Sequence, residues 1–149
     1  MKELVFALEF KGSAAPVAGS ETRMQASTSA SSQTLRTILK ADGVHPTLEP
    51  SGGEPVAFQS TVDVVGEGQF VESGTIKYGS AGSVTFKTVG RGTLGPSPEA
   101  GIQRGAIVWE VTGGDGKFRG AQGLITSNFT VGPAGEVVDN QFARLWLAD

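Results

Sequence analysis

Apolar and polar residues alternate along most of this chain. In the first segment, residues 2–11, one face carries Leu4, Phe6, Leu8 and Phe10. A period of two is typical of a half-buried β-strand. Comparable segments recur at residues 56–65, 70–78, 83–89, 106–111, 124–131 and 141–147.

Two stretches depart from this simple alternation. Residues 34–40 and 44–49 flank the pair Asp42 and Gly43, and Asp-Gly between alternating runs favours a tight turn, so a hairpin is predicted here. The stretch Gly90–Gly105 shows no regular pattern and predicts a long loop, of the kind that often serves as a lid.

Glycine is concentrated between two of the predicted strands, at Gly113, Gly114, Gly116, Gly120 and Gly123. Because glycine is favoured where a backbone bends sharply, this stretch predicts a barrel corner. About eight or nine strands joined in sequence, with no helical period, favour a closed barrel, since closure removes exposed strand edges. We expect an all-β fold, a single antiparallel eight-stranded, calycin-like barrel with little helix, in one domain over residues 1–149.

Composition argues against several classes of function. The net charge is −3 and the pI about 5.2, with scattered basic residues, so we expect no nucleic-acid partner. No signal-peptide pattern or membrane-spanning run of ~20 apolar residues is visible, so we expect no membrane partner. The chain has no cysteine and one histidine, His45, which favours the cytoplasm and predicts neither a metal site nor a cofactor.

Two motifs resemble one group of barrels. Tyr78–Gly82 reads Y-G-S-A-G and precedes a strand, and Val111–Gly123 reads V-T-G-G-D-G-K-F-R-G-A-Q-G and precedes strand, turn and strand. Through these motifs the region from Ser73 to Leu147 resembles the allene oxide cyclase and dirigent barrel superfamily, including its uncharacterised bacterial branches.

The resemblance implies an eight-stranded barrel of the allene oxide cyclase type, often a dimer or trimer, whose apolar lumen binds a small apolar molecule without a cofactor. Allene oxide cyclases shape a fatty-acid epoxide for ring closure, and dirigent proteins steer radical or quinone-methide coupling. We therefore expect ligand binding in the lumen, with a cofactor-independent cyclase or isomerase as one form of it. The alternative is a non-catalytic carrier, or a structural oligomer whose lumen is packed.

Glu72 and Tyr78 are the first two candidates for catalysis, because both share the apolar face of Phe70 and Ile76. Burial there would raise the pKa of Glu72 towards neutrality and suit it to general acid or base catalysis, and an ion pair is the structural alternative. Tyr78 would donate a hydrogen bond to a ligand, or else pack with its hydroxyl in water.

Glu110 and Arg144 are the other two candidates for catalysis. Glu110 follows Trp109 but lies on the opposite face from it, so its position depends on which face lines the lumen. Arg144 lies between Phe142 and Trp146, where it would either hold a ligand carboxylate or enolate or pair with a glutamate.

Bulky aromatic side chains are expected to line the lumen and contact the ligand. They are Phe58, Phe86, Trp109, Phe129 and Trp146. The last strand is apolar on both faces, through Phe142 and Trp146 on one and Leu145 and Leu147 on the other. We expect this strand to contribute to a contact between subunits of a homo-oligomer.

Overall fold

A computed structural model describes residues 1–149, and its regular secondary structure is almost entirely β-strand. The strands are β1 (Lys2–Pro16), β2 (Arg23–Ala30), β3 (Gln33–Lys40), β4 (Gly43–Pro50), β5 (Val56–Gly66), β6 (Gln69–Tyr78), β7 (Ser83–Thr88), β8 (Gly92–Pro96), β9 (Gln103–Gly114), β10 (Gln122–Val131) and β11 (Glu136–Leu147). Two 3-10 turns, Gly79–Ala81 and Gly116–Phe118, are the helical elements. The predicted all-β fold is confirmed.

Eight strands close into an antiparallel barrel in the order β1-β2-β5-β6-β7-β9-β10-β11, and β11 pairs again with β1. The predicted corner lies between β9 and β10, where Gly123 has a φ of 141° and its Cα lies against the backbone of Arg144. A Cβ at Gly123 would lie 2.1 Å from the backbone carbonyl oxygen of Arg144, so the tight approach of β10 to β11 requires glycine.

The predicted lid, Gly90–Gly105, is instead part of the barrel wall. β8 lies within it and pairs with β6 and β9, the same two strands that flank β7. β7 and β8 together therefore act as one barrel strand interrupted near Gly90, whose φ is 69°. Periodicity missed β8 because its sequence, G-T-L-G-P, carries a single large apolar residue.

On most strands the face that the alternation defines as apolar is the one that points inwards. Leu145 is fully buried in the lumen and Leu147 packs against the core, so neither is available for the predicted contact between subunits. Phe142 and Trp146 lie on the outer wall and are 48% and 37% exposed. A contact between subunits through these two residues stays a prediction.

The two ends of the barrel differ. At one end, which we call the closed end, Tyr78 packs between Phe6 and Phe118, with ring-centroid distances of 5.5 and 5.0 Å. Phe118 reaches this position from the 3-10 turn, which Asp115 fixes by accepting hydrogen bonds from the backbone and hydroxyl of Ser83. At the opposite end, the open end, β6 and β11 begin and β1 and β10 finish.

The hairpin of β3 and β4 forms a separate two-stranded sheet beside the barrel, as the Asp-Gly pair predicted. The side chain of Gln33 attaches the hairpin to β1. It accepts a hydrogen bond from the backbone N–H of Glu9 and donates one to the backbone carbonyl of Glu9. The hairpin side chains Leu39 and Val44 are largely exposed. No helix of the structure is long and apolar enough to cross a membrane.

Candidate functional site

A cavity of about 150 Å³ occupies the open end of the barrel. Its walls are mostly apolar, and its lining includes Met24, Ala26, Phe58, Val62, Phe70, Leu94, Trp109, Phe129, Val131 and Val137. Towards the middle of the barrel the lumen is packed by stacked aromatic rings. Phe86 stacks on Trp109 at 4.5 Å and on Phe58 at 5.4 Å, so these rings form the floor of the cavity.

Two glycines keep the upper part of the cavity wall open to large rings. A Cβ at Gly92 would lie 2.5 Å from the ring of Phe70, and one at Gly105 would lie 2.5 Å from the ring of Phe129. Phe70 and Phe129 occupy this space and meet edge to face, 5.9 Å apart. Because Gly92 on β8 and Gly105 on β9 have no side chains, the rings of Phe70 and Phe129 can lie against the backbone of these strands.

Glu72 lies on β6 with its carboxyl group in the cavity wall, and it is 8% exposed. The hydroxyl of Ser60 donates a hydrogen bond to it at 2.5 Å. Burial raises the pKa of Glu72 from its ordinary 4.5 to about 7; the negative charge of Asp139 adds to this, and the Ser60 hydrogen bond opposes it. Glu72 therefore exchanges protons near neutral pH.

Asp139 is a second buried carboxyl group in the same cavity, on β11. Ser127 donates a hydrogen bond to one of its oxygens at 2.6 Å, and the side-chain amide of Gln141 donates to the other at 2.8 Å. Burial raises the pKa of Asp139, while these two hydrogen bonds oppose the rise. Each cavity carboxyl group thus accepts a hydrogen bond from a serine on the preceding strand.

The two carboxyl groups lie on opposite walls, because β6 and β11 are four strands apart in either direction around the barrel. Two buried hydrogen-bonding atoms of the lining have no partner: the indole nitrogen of Trp109 and the hydroxyl oxygen of Thr28. The indole nitrogen lies near enough to Glu72 to lower its pKa, although it does not meet hydrogen-bond geometry. Carboxyl groups and unpaired donors in one apolar cavity are typical of a ligand site.

The barrel is similar to one solved structure in particular, the pterocarpan synthase dirigent protein GePTS1. The TM-score is 0.65, with 12% sequence identity over 99% of this chain and 89% of that one. The likeness shows the fold. No protein-family model matches the sequence, and no curated protein matches it either. The comparisons therefore support the predicted barrel fold through three-dimensional structure alone.

Several predicted site residues lie together in or beneath the cavity. Glu72, Phe58, Trp109 and Phe129 line it. Phe86 lies one layer deeper, within the stack that forms its floor.

Tyr78 points inwards but lies at the closed end, packed against Phe6 and Phe118. Burial raises its pKa well above the usual value, so it stays protonated. Tyr78 does not line the cavity, so it belongs to the packed core and does not act together with Glu72 on a ligand there.

Glu110, Arg144 and Trp146 are on the outer wall, which corrects their placement in the lumen. Glu110 is exposed because it alternates with Trp109, which points inwards. Arg144 forms an exposed ion pair with Glu3 at 3.3 Å, which is the structural alternative foreseen for it. Trp146 is two residues from Arg144 on the same strand and so shares its outward face.

Asp139, Thr28 and Gln141 were missed by sequence analysis. Asp139 lies on the same face of β11 as Leu145, but the alternation predicts a last strand that begins at Gln141, whereas β11 begins five residues earlier, at Glu136. Extending the alternation by two residues would have found it. Thr28 lies on β2, whose inward residues include a single large apolar side chain, Met24, so that the strand gives little apolar signal. No group of three or more histidine, cysteine or acidic side chains is arranged to hold a metal ion.

Proposed function

We propose that the barrel binds a small, mainly apolar molecule in the open-end cavity and acts on it as a cofactor-independent isomerase or cyclase. The observation that carries this is the pairing of Glu72 and Asp139 across one apolar cavity. One carboxyl group would remove a proton from the ligand while the other returns one, so the reaction needs no external acid or base. The stacked floor would orient the ligand between them.

The similar fold supports this proposal. GePTS1 is described as a pterocarpan synthase, so a barrel of this shape accommodates an enzyme. The cavity also argues against a lumen packed along its full length. A carrier without catalysis stays the second candidate, and the two differ in whether the carboxyl groups transfer protons.

Native mass spectrometry of the freshly purified protein tests the binding step, followed by denaturing extraction of any bound molecule. A matched pair of variants locates it: Ala26→Phe fills the cavity, whereas Ala57→Phe adds the same ring to the outer wall. We expect Ala57→Phe to retain the extracted molecule and Ala26→Phe to lose it. Equal retention by both variants would place the molecule outside the cavity.

Proton transfer is tested by incubating the extracted molecule with the protein in D₂O and following deuterium uptake by mass spectrometry. We expect Glu72→Gln to slow uptake by about 10²-fold or more, the usual contribution of a positioned acid or base. Far-UV circular dichroism checks that the variant is folded. Uptake by the variant at the rate of the unmodified protein would remove Glu72 from the reaction. Uptake no faster with the unmodified protein than in buffer alone would leave the carrier.

A further inference from the structure

The ionisable side chains that line the cavity are both acidic. They are Glu72 and Asp139, and no lysine, arginine or histidine shares the lining with them. Arg91 lies just outside the mouth, where its guanidinium donates a hydrogen bond to the side chain of Gln69 at 2.7 Å. The lumen therefore holds two carboxyl groups and no positive charge to balance them.

The hydrogen-bond donors around these carboxyl groups suit their ionised forms. Ser60 donates to Glu72, and Ser127 and Gln141 donate to Asp139. Neutral donors offset only part of the cost of ionising these groups in an apolar cavity, so burial favours their protonated forms while the site is empty. A singly charged cation between the opposite walls would balance one carboxylate and leave the other carboxyl group with its proton.

The rest of the lining also suits a cation attached to a ring. Phe58 and Trp109 contribute aromatic rings to the lining, and an aromatic ring attracts a ligand cation through its quadrupole. The unpaired hydroxyl oxygen of Thr28 offers an acceptor to an N–H donor. A cavity of about 150 Å³ accommodates a single ring, since an apolar cavity of that size binds benzene.

From these observations we propose that the ligand of the cavity is a protonated amine carrying a single ring, with its ammonium group between Glu72 and Asp139. This rests on the proposed function, because it specifies the molecule that the open-end cavity binds. Ligand charge would bring Glu72 to its carboxylate form, the form that acts as a base. Anionic ligands are excluded by the same two groups.

The test uses three probes of nearly equal size and different charge: benzylamine, benzyl alcohol and benzoate. NMR titration of ¹⁵N-labelled protein, following the amides of Thr28, Glu72 and Asp139, gives a dissociation constant for each. We expect benzylamine to bind roughly tenfold tighter than benzyl alcohol, a ratio typical of one compensated charge, and benzoate to bind weakest. The affinity for benzylamine should fall at acidic pH, because Glu72 and Asp139 take up protons. The affinity for benzyl alcohol should not change with pH.

Glu72→Gln should bring the affinity ratio of amine to alcohol close to one, while Glu99→Gln, on an exposed loop, should leave the ratio unchanged. Equal binding of amine and alcohol to the unmodified protein would overturn the proposed charge and leave the proposed apolar site standing. Failure of all three probes to shift the cavity amides would overturn both.

Discussion

The closed and open ends of this barrel are built from the same alternating strands but are filled in different ways. At the closed end Phe6, Tyr78 and Phe118 pack against one another, and a turn between β9 and β10 supplies the third ring. At the open end the inward positions carry Glu72 and Asp139 among apolar side chains, and a cavity remains. The closed end is therefore filled by packed rings, whereas the open end keeps a cavity lined by two buried carboxyl groups.

The largest effect expected from this difference is on the free energy of unfolding. Phe118→Ala should cost about 4 kcal/mol, because the ring is buried and leaves a void against Tyr78. Phe129→Ala should cost about 1 to 2 kcal/mol, because that ring is only half-buried beside an existing cavity. Urea denaturation measures both. Equal costs would mean that the two ends contribute alike to stability.

A second effect is on the pH dependence of stability. The pKa of Glu72 is about 7 in the folded protein against 4.5 ordinarily, so the folded state holds its proton more tightly than the unfolded state does. This stability is complete below the ordinary pKa and is lost as the pH rises through about 7. The difference of about 2.5 pKa units corresponds to about 3 kcal/mol.

Urea denaturation at about pH 5 and about pH 8 should therefore show greater stability at the lower pH. Glu72→Gln should remove most of this difference, and the raised pKa of Asp139 would account for what remains. Glu110→Gln, which changes a glutamate on the outer wall, should preserve it. Stability that is flat or rises with pH would contradict the burial of ionisable groups at the open end.

A third effect concerns the space that Gly105 leaves for Phe129. Gly105→Ala should cost roughly 2 kcal/mol and displace the ring, because the new methyl group would lie 2.5 Å both from the ring and from the carbonyl oxygen of Thr93 on β8. Gly95→Ala is the matched control on β8, where a Cβ would meet only the guanidinium of Arg104 at 4.0 Å. Thermal unfolding compares the two. A similar loss of stability in the two variants would show that the position of Phe129 does not depend on the absence of a side chain at Gly105.

The smallest effect is expected on the outer wall. Arg144→Ala removes an ion pair whose two side chains are about half exposed, so its cost should stay below about 1 kcal/mol. It should also leave the binding of the cavity probes unchanged. A change in probe affinity would show that the outer face of β11 communicates with the lumen.

Much of this architecture could be predicted from periodicity alone. The strict alternation on β6 and β9 gave the inward positions of Glu72 and Trp109, and glycine density gave the corner before Gly123. The two faces of β11 could not be assigned, because Phe142 and Leu145 are both apolar and only the barrel's closure decides which points inwards. Asp139 was missed because the predicted last strand begins at Gln141, whereas β11 begins at Glu136. Thr28 was missed because a buried hydroxyl among mostly small residues gives no hydrophobic signal.

The open end should be the part of the barrel that accepts an apolar molecule. A crystal structure under xenon pressure tests this, because xenon binds apolar cavities of about 150 Å³ without needing a specific chemical partner. We expect xenon at the open end, among Phe70, Phe129 and Glu72. Xenon at the closed end beside Tyr78 and Phe118, or none in the barrel, would contradict it.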